Sequence, residues 1–196
     1  TDGKILDDLE TFLTTHLGKG VIRAKDTPNF IANRVGIFSM LATMHHAGQF
    51  KLGFDEVDAI TGPLIGRAKS ATFRTADVVG IDTLVKVANG VFDNCPADEA
   101  RNSFVIPAWL QKMVDNNWLG DKTGQGFFKK TKGGNGEKEI LTLNLKTAEY
   151  GPRVKPKFAS VEAAKPIDDL KTRLKALCTG MDKAGDFYRQ FHYGLF

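Results

Sequence analysis

The sequence predicts a mainly α-helical chain with one short strand near its start and a small β-hairpin in its second half. Apolar residues recur at spacings of three and four over several stretches, the signature of one buried helix face. Residues 139–146 instead alternate with a period of two, as a half-buried strand does. Glycine and proline clusters separate these segments and mark the turns.

In order, Ile5, Leu9, Phe12, Leu13 and Leu17 give a first helix, which Gly18 and Gly20 end, and Val21 to Lys25 reads as a strand. Thr27 is the expected N-cap of the next helix and Pro28 suits its first turn, where no donor is needed. From there Phe30, Ile37, Met40, Leu41 and Met44 share a face that Ile31, Val35 and Phe38 widen, out to about His46 or Gln49. Asn33 sits within that stripe. A buried amide without partners costs about 1 to 3 kcal/mol, so Asn33 should meet backbone groups, water or a ligand. It either ties down a neighbouring loop or contacts a substrate.

Asp55 is the expected cap of a following helix, with Glu56 and Asp58 favoured in its first turn by the helix dipole. Residues 62–70 contain two glycines and a Lys-Ser pair, but lack the register of a phosphate loop and follow a helix pattern, which excludes a nucleoside-triphosphate site of that kind. Helices follow at 75–79 and 83–92, broken at Gly80, and at 104–114. Residues 116–128 read as a long turn delivering Phe127 and Phe128 to the core. Gly124-Gln125-Gly126 within it is not a dinucleotide fingerprint, because no third glycine or helix follows. A flexible turn at residues 133–136 and the alternation after it give the hairpin. Three prolines among basic residues make 151–166 a linker by composition, and helices resume at 167–177 and from Asp182.

Composition narrows the function classes. With 196 residues and 42% apolar content the chain holds a real core, and it has neither an apolar run of membrane length nor a basic-then-apolar leader. The net charge of +4 suits a polyanionic ligand, yet lysine and arginine are scattered and no helix collects them on one face, which disfavours a nucleic-acid binder. Cys95 and Cys178 lie far apart, outside any C-x-x-C, so reduced thiols in a cytoplasmic setting are expected and no metal site is. The adjacent His45 and His46 point to different sides of a helix and read as ordinary polar residues. The start without Met and the end within an apolar pattern read as a piece of a longer protein.

Four segments carry a resemblance: residues 26–34 (DTPNFIANR), 53–60 (GFDEVDAI), 77–83 (DVVGIDT) and 117–128 (NWLGDKTGQGFF). In this order they resemble the 3-hydroxyacyl-CoA dehydrogenases, whose dinucleotide-binding domain hands over to a helical C-terminal domain at the first segment. The resemblance implies a helical C-terminal domain like that of 6-phosphogluconate dehydrogenase. It divides the chain into the last helix and strand of an NAD-binding domain (1–26), the helical domain (27–150), the linker (151–166) and the start of a second helical unit (167–196). It implies NAD-dependent oxidation of an L-3-hydroxyacyl-CoA in fatty-acid β-oxidation, with NAD held by an upstream domain and the catalytic histidine and glutamate outside this chain. Asn33 would then contact the acyl-CoA substrate, with Ser70 and Phe73 as further contacts; Ser70-Ala71-Thr72-Phe73-Arg74-Thr75 departs from the family's usual G-P-F-E-like segment there. The family pairs subunits through its helices, so a homodimer is expected; a purely structural dimerisation module without a catalytic residue is the other reading.

Overall fold

A computed structural model describes residues 2–132 and 137–195. The first helix forms as α1 (Gly3–Thr15), capped by Asp2, whose carboxylate accepts the Lys4 N–H at 2.7 Å. It buries no side chain: Ile5, Leu9 and Phe12 are all about half exposed. The strand expected at 21–25 does not form. A strand needs a neighbour for its N–H and C=O groups, and among the described residues no strand lies beside this segment; Arg23 reaches back to Asp7 and Glu10.

The next helix, α2 (Phe30–Gln49), starts two residues later than expected, because Asn29 and Phe30 are both left-handed, at φ +63° and +51°. Thr27 takes part through its carbonyl, which accepts the Phe30 N–H at 3.2 Å, and its hydroxyl caps nothing. The apolar face is also shorter than expected. Ile37, Leu41, Met44 and Ala47 are buried, whereas Phe30, Ile31 and Val35 in the first two turns stand exposed.

Short helices then wrap this one: α3 (Phe54–Ile60), α4 (Phe73–Val79), α5 (Ile81–Asn94) and α6 (Ala108–Asp115). Residues 104–107, expected to be helical, form a turn and an extended step because Pro107 cannot continue a helix and serves as the N-cap of α6. Phe54, Phe73 and Phe127 pack with ring centroids 4.5 to 4.9 Å apart, so the long turn does deliver Phe127 to the core.

The hairpin is a three-stranded antiparallel sheet: β1 (Phe128–Lys132), β2 (Lys138–Asn144) and β3 (Glu149–Pro152), in that spatial order. The expected turn at 133–136 lies outside the described residues. Residues 151–166 carry more structure than a linker: β3 ends at Pro152, and α7 (Ala159–Ala164) buries Val161 and Ala164 behind a buried Phe158. The prolines stand at the edges of these elements, so composition alone conceals them. α8 (Leu170–Cys178), capped by Asp169, and α9 (Lys183–Leu195) follow. α9 packs along α2, burying Phe187 and Phe191, and its Tyr188 hydroxyl donates to the Ile60 carbonyl at 2.7 Å. The final helices are therefore bound into the same core.

Candidate functional site

Three carboxylates organise the walls of a concavity beside α3. Asp55 was the expected cap of α3, but Gly53 takes that place and its N–H donates to Glu56 Oε2 at 2.7 Å. Asp55 is instead 5% exposed and accepts from Arg153 Nε at 2.6 Å, Thr142 Oγ1 at 2.7 Å and the Val154 N–H at 3.0 Å. It thereby fastens α3 to β2 and to the segment after β3.

One turn on, Asp58 accepts the N–H groups of Thr72, Phe73 and Arg74 at 3.1, 2.7 and 2.9 Å. It caps α4 from another helix, because Thr72 makes no side-chain cap bond of its own. Burial pushes its carboxyl up to about 6, with the three N–H donors pulling the other way. Arg74 grips Asp121 through two bonds, of 2.8 and 2.6 Å, which hold that carboxyl below its ordinary range. These groups enclose a cleft of about 630 Å³ between α3, the loop before α4, the sheet and residues 153–156.

The residues expected to contact substrate separate here. Ser70 lines the cleft, half-buried, its hydroxyl 2.8 Å from that of Thr75. Phe73 is 1% exposed within the aromatic nucleus, and a ring with no surface has none to offer a ligand; its role is packing. Asn33 does not line the cleft. It is exposed in the first turns of α2, beside an Arg34–Asp98 ion pair, so the buried amide expected within an apolar stripe is corrected to an exposed one. The stripe fails there because no described residue covers Phe30, Ile31 and Val35, which are 64%, 43% and 61% exposed.

No histidine lines the cleft. His45 and His46 both lean on Gln49, at 3.1 Å each, and among the described residues no three His, Cys, Asp or Glu side chains gather to hold a metal ion. Nor is any helix of the described residues long and apolar enough to cross a membrane.

Sequence reasoning missed Asp58 as a cap, Asp55 as a tie and Asp77 altogether. The available signal was Ala71-Thr72-Phe73, a helix start whose free N–H groups need an acceptor from elsewhere. Asp77 is 1% exposed and accepts the Phe127 and Phe128 N–H groups at 2.8 and 2.9 Å. Burial raises its carboxyl from 3.8 to about 6 against those two bonds. The folded chain then holds this proton more tightly than the unfolded one. Its contribution to stability is complete below the unfolded value and is lost as pH rises through about 6. In urea titrations, the stability of the wild type relative to Asp77→Asn should fall by up to about 3 kcal/mol between pH 4 and 6, then stay level. A difference that is flat or rises over that interval would contradict the assignment.

Comparison with known proteins gives the context. A family model described as "3-hydroxyacyl-CoA dehydrogenase, C-terminal domain" matches residues 30–130, more than half of the 196. A probable 3-hydroxyacyl-CoA dehydrogenase of Bacillus subtilis is 48% identical over 94% of this chain and 23% of its own length. One of Deinococcus radiodurans is 44% identical over 67% of this chain and 37% of its own. The crystal structure of FadB2 from M. tuberculosis superposes with a TM-score of 0.54 at 27% identity, over 67% of this chain and 44% of that one. The chain thus spans about a quarter to two fifths of the length of these two relatives. The family model spans α2 to α6 and the first residues of β1, and the Bacillus subtilis relative extends over 94% of the chain, so the chain belongs to the 3-hydroxyacyl-CoA dehydrogenase family and contains its C-terminal helical domain.

Proposed function

We propose that this chain is the helical, substrate-positioning part of an NAD-dependent L-3-hydroxyacyl-CoA dehydrogenase of fatty-acid β-oxidation, working in the cytoplasm. The observation that carries the proposal is Asn33: a neutral, directional donor exposed at the start of α2, in the junction motif that resembles the family's. In this reaction class a base takes the proton of the 3-hydroxyl while the hydrogen on C3 leaves as hydride for the nicotinamide, and the alcohol becomes a ketone. This chain's described residues do not fit NAD. Their sheet is antiparallel, and no strand, glycine-rich turn and helix follow one another in it as the cofactor's pyrophosphate requires. The nicotinamide, the catalytic histidine and the glutamate are assigned to another domain. The apolar side chains left exposed on α1 and at the start of α2 support this, since Ile5, Phe12, Phe30 and Val35 offer that domain a surface to cover.

The contribution left to this chain is orientation. An amide on a rigid helix loses little to reorganisation when it meets the substrate oxygen or the imidazole beside it. In the complete enzyme, Asn33→Ala should lower kcat/KM by about tenfold or more with an unchanged melting temperature, because the exposed side chain packs against little. An intact kcat/KM would favour the alternative, a helical module that serves only to pair subunits. That reading draws on Val78, Val79 and Val105, which stand about half exposed. Homodimerisation through these helices is compatible with both.

A further inference from the structure

We infer that Arg34 and Asp98 are positioning residues for Asn33, an inference that rests on the role proposed for that amide and deepens it. Between residues 28 and 36 only the side chains of Asn29 and Arg34 are not exposed. Those two tether the start of α2 to the rest of the chain. The Arg34 guanidinium donates to Asp98, 64 residues on, whose side chain is 7% exposed. The Asn29 amide lies against α5, its nitrogen 3.3 Å from where a Cβ on Gly90 would stand.

Helix formation does not explain the arginine. A cation so near a helix N-terminus gains nothing from the dipole, and α2 has no acid in its first turn to offset it. Three and four residues to either side stand Ile31, Phe30, Ile37 and Phe38, none of which can pair with it. The offsetting charge comes from elsewhere in the fold. Asp98 is itself held in place: its other carboxylate oxygen accepts the Ala100 N–H at 2.9 Å, and its carbonyl accepts the Arg101 N–H at 3.1 Å. Arg101 in turn donates to the Phe92 carbonyl at 2.8 Å and lies over the Phe92 ring. A loop tied to the end of α5 therefore grips the residue next to Asn33. Such a pair adds little to global stability, but it fixes direction. A contacting group misplaced by about 1 Å can cost about a hundredfold in rate, so the placement of this turn is what the pair controls.

The test uses the complete enzyme, with steady-state kinetics and amide hydrogen exchange. Asp98→Asn is the informative variant, since its side-chain oxygen can still accept the Ala100 N–H while the charge that holds Arg34 is gone. It should lower kcat by about fivefold or more with KM within about twofold of wild type, and Asp98→Glu should restore most of the rate. Amides of residues 34–37 should exchange about tenfold faster or more in Asp98→Asn while those of residues 41–47 stay unchanged, a local effect that general destabilisation would not give. Added to Asn33→Ala, Asp98→Asn should cost no further rate, because the group it orients is already absent. Unchanged exchange at residues 34–37, or losses that multiply in the double variant, would overturn the positioning role. A slow Asn33→Ala beside a fully active Asp98→Asn would overturn this inference alone, whereas full activity in Asn33→Ala would overturn it together with the functional reading above.

Discussion

Gly120→Ala should lower the melting temperature by about 10 °C, a loss of roughly 3 to 5 kcal/mol for a chain of this size. Two effects add at this position. Gly120 has φ +97°, a conformation that costs a residue with a Cβ about 1 to 2 kcal/mol. An added Cβ would also lie 2.2 Å from the Asp77 carbonyl oxygen and 2.6 Å from its Cα, atoms that cannot swing aside as a flexible side chain does. Backbone must then move on both sides. The turn it belongs to is closely tied: the Gly120 N–H donates to the Gln125 carbonyl at 2.9 Å, and the Ile81 N–H to the Leu119 carbonyl at 3.1 Å. Displacing it pulls Phe127 out of the aromatic nucleus and away from Asp77. Gly124→Ala is the control. It shares the turn and a left-handed φ of +76°, but nothing lies within 4 Å of its new Cβ, so it should cost only about 1 to 2 kcal/mol. If thermal melts find the two variants equally stable, the close approach of the turn to Asp77 is not what makes Gly120 necessary.

How much of this was legible depends on the range of the interaction. The helices at 3–15, 81–94 and 183–195 were found because each repeats an apolar residue along one face, a pattern that needs only neighbours in sequence. The turn bringing Phe127 inward was legible for the same reason. Asp55 and Asp77 were not, because nothing in their own segments distinguishes an acid that caps its own helix from one that reaches Arg153, 98 residues on, or the Phe127 N–H, 50 residues on. Residues 151–166 misled through their prolines, which report where elements stop and not whether they pack. The strand at 21–25 and the buried amide at Asn33 failed in a related way. Periodicity shows which face of an element is apolar, and says nothing about whether a covering surface lies within the same chain. The candidate site was therefore read in part: Ser70 borders the cleft and Phe73 is core.

The second large effect is expected at Asp55, where the identity of the group left behind decides the size of the loss. Asp55→Ala removes the acceptor for Arg153, Thr142 and the Val154 N–H together, releasing α3 from β2 and from the segment leading to α7. Arg153 keeps 45% of its side chain in water, so the freed cation is not stranded, and the loss comes mainly from the two other donors and the cavity. About 2 to 4 kcal/mol follows. Arg153→Ala is the reverse case: it leaves a carboxylate 5% exposed with only a hydroxyl and one amide to hold its charge. A carboxylate so placed costs about as much as the pair once offset. The double variant Asp55→Ala/Arg153→Ala should then be more stable than the sum of the single losses allows, with a coupling of about 1 to 3 kcal/mol in urea-denaturation cycles. Additive losses would mean that Asp55 acts as a local helix residue, and that the tie between α3 and the sheet contributes nothing to holding the cleft in shape.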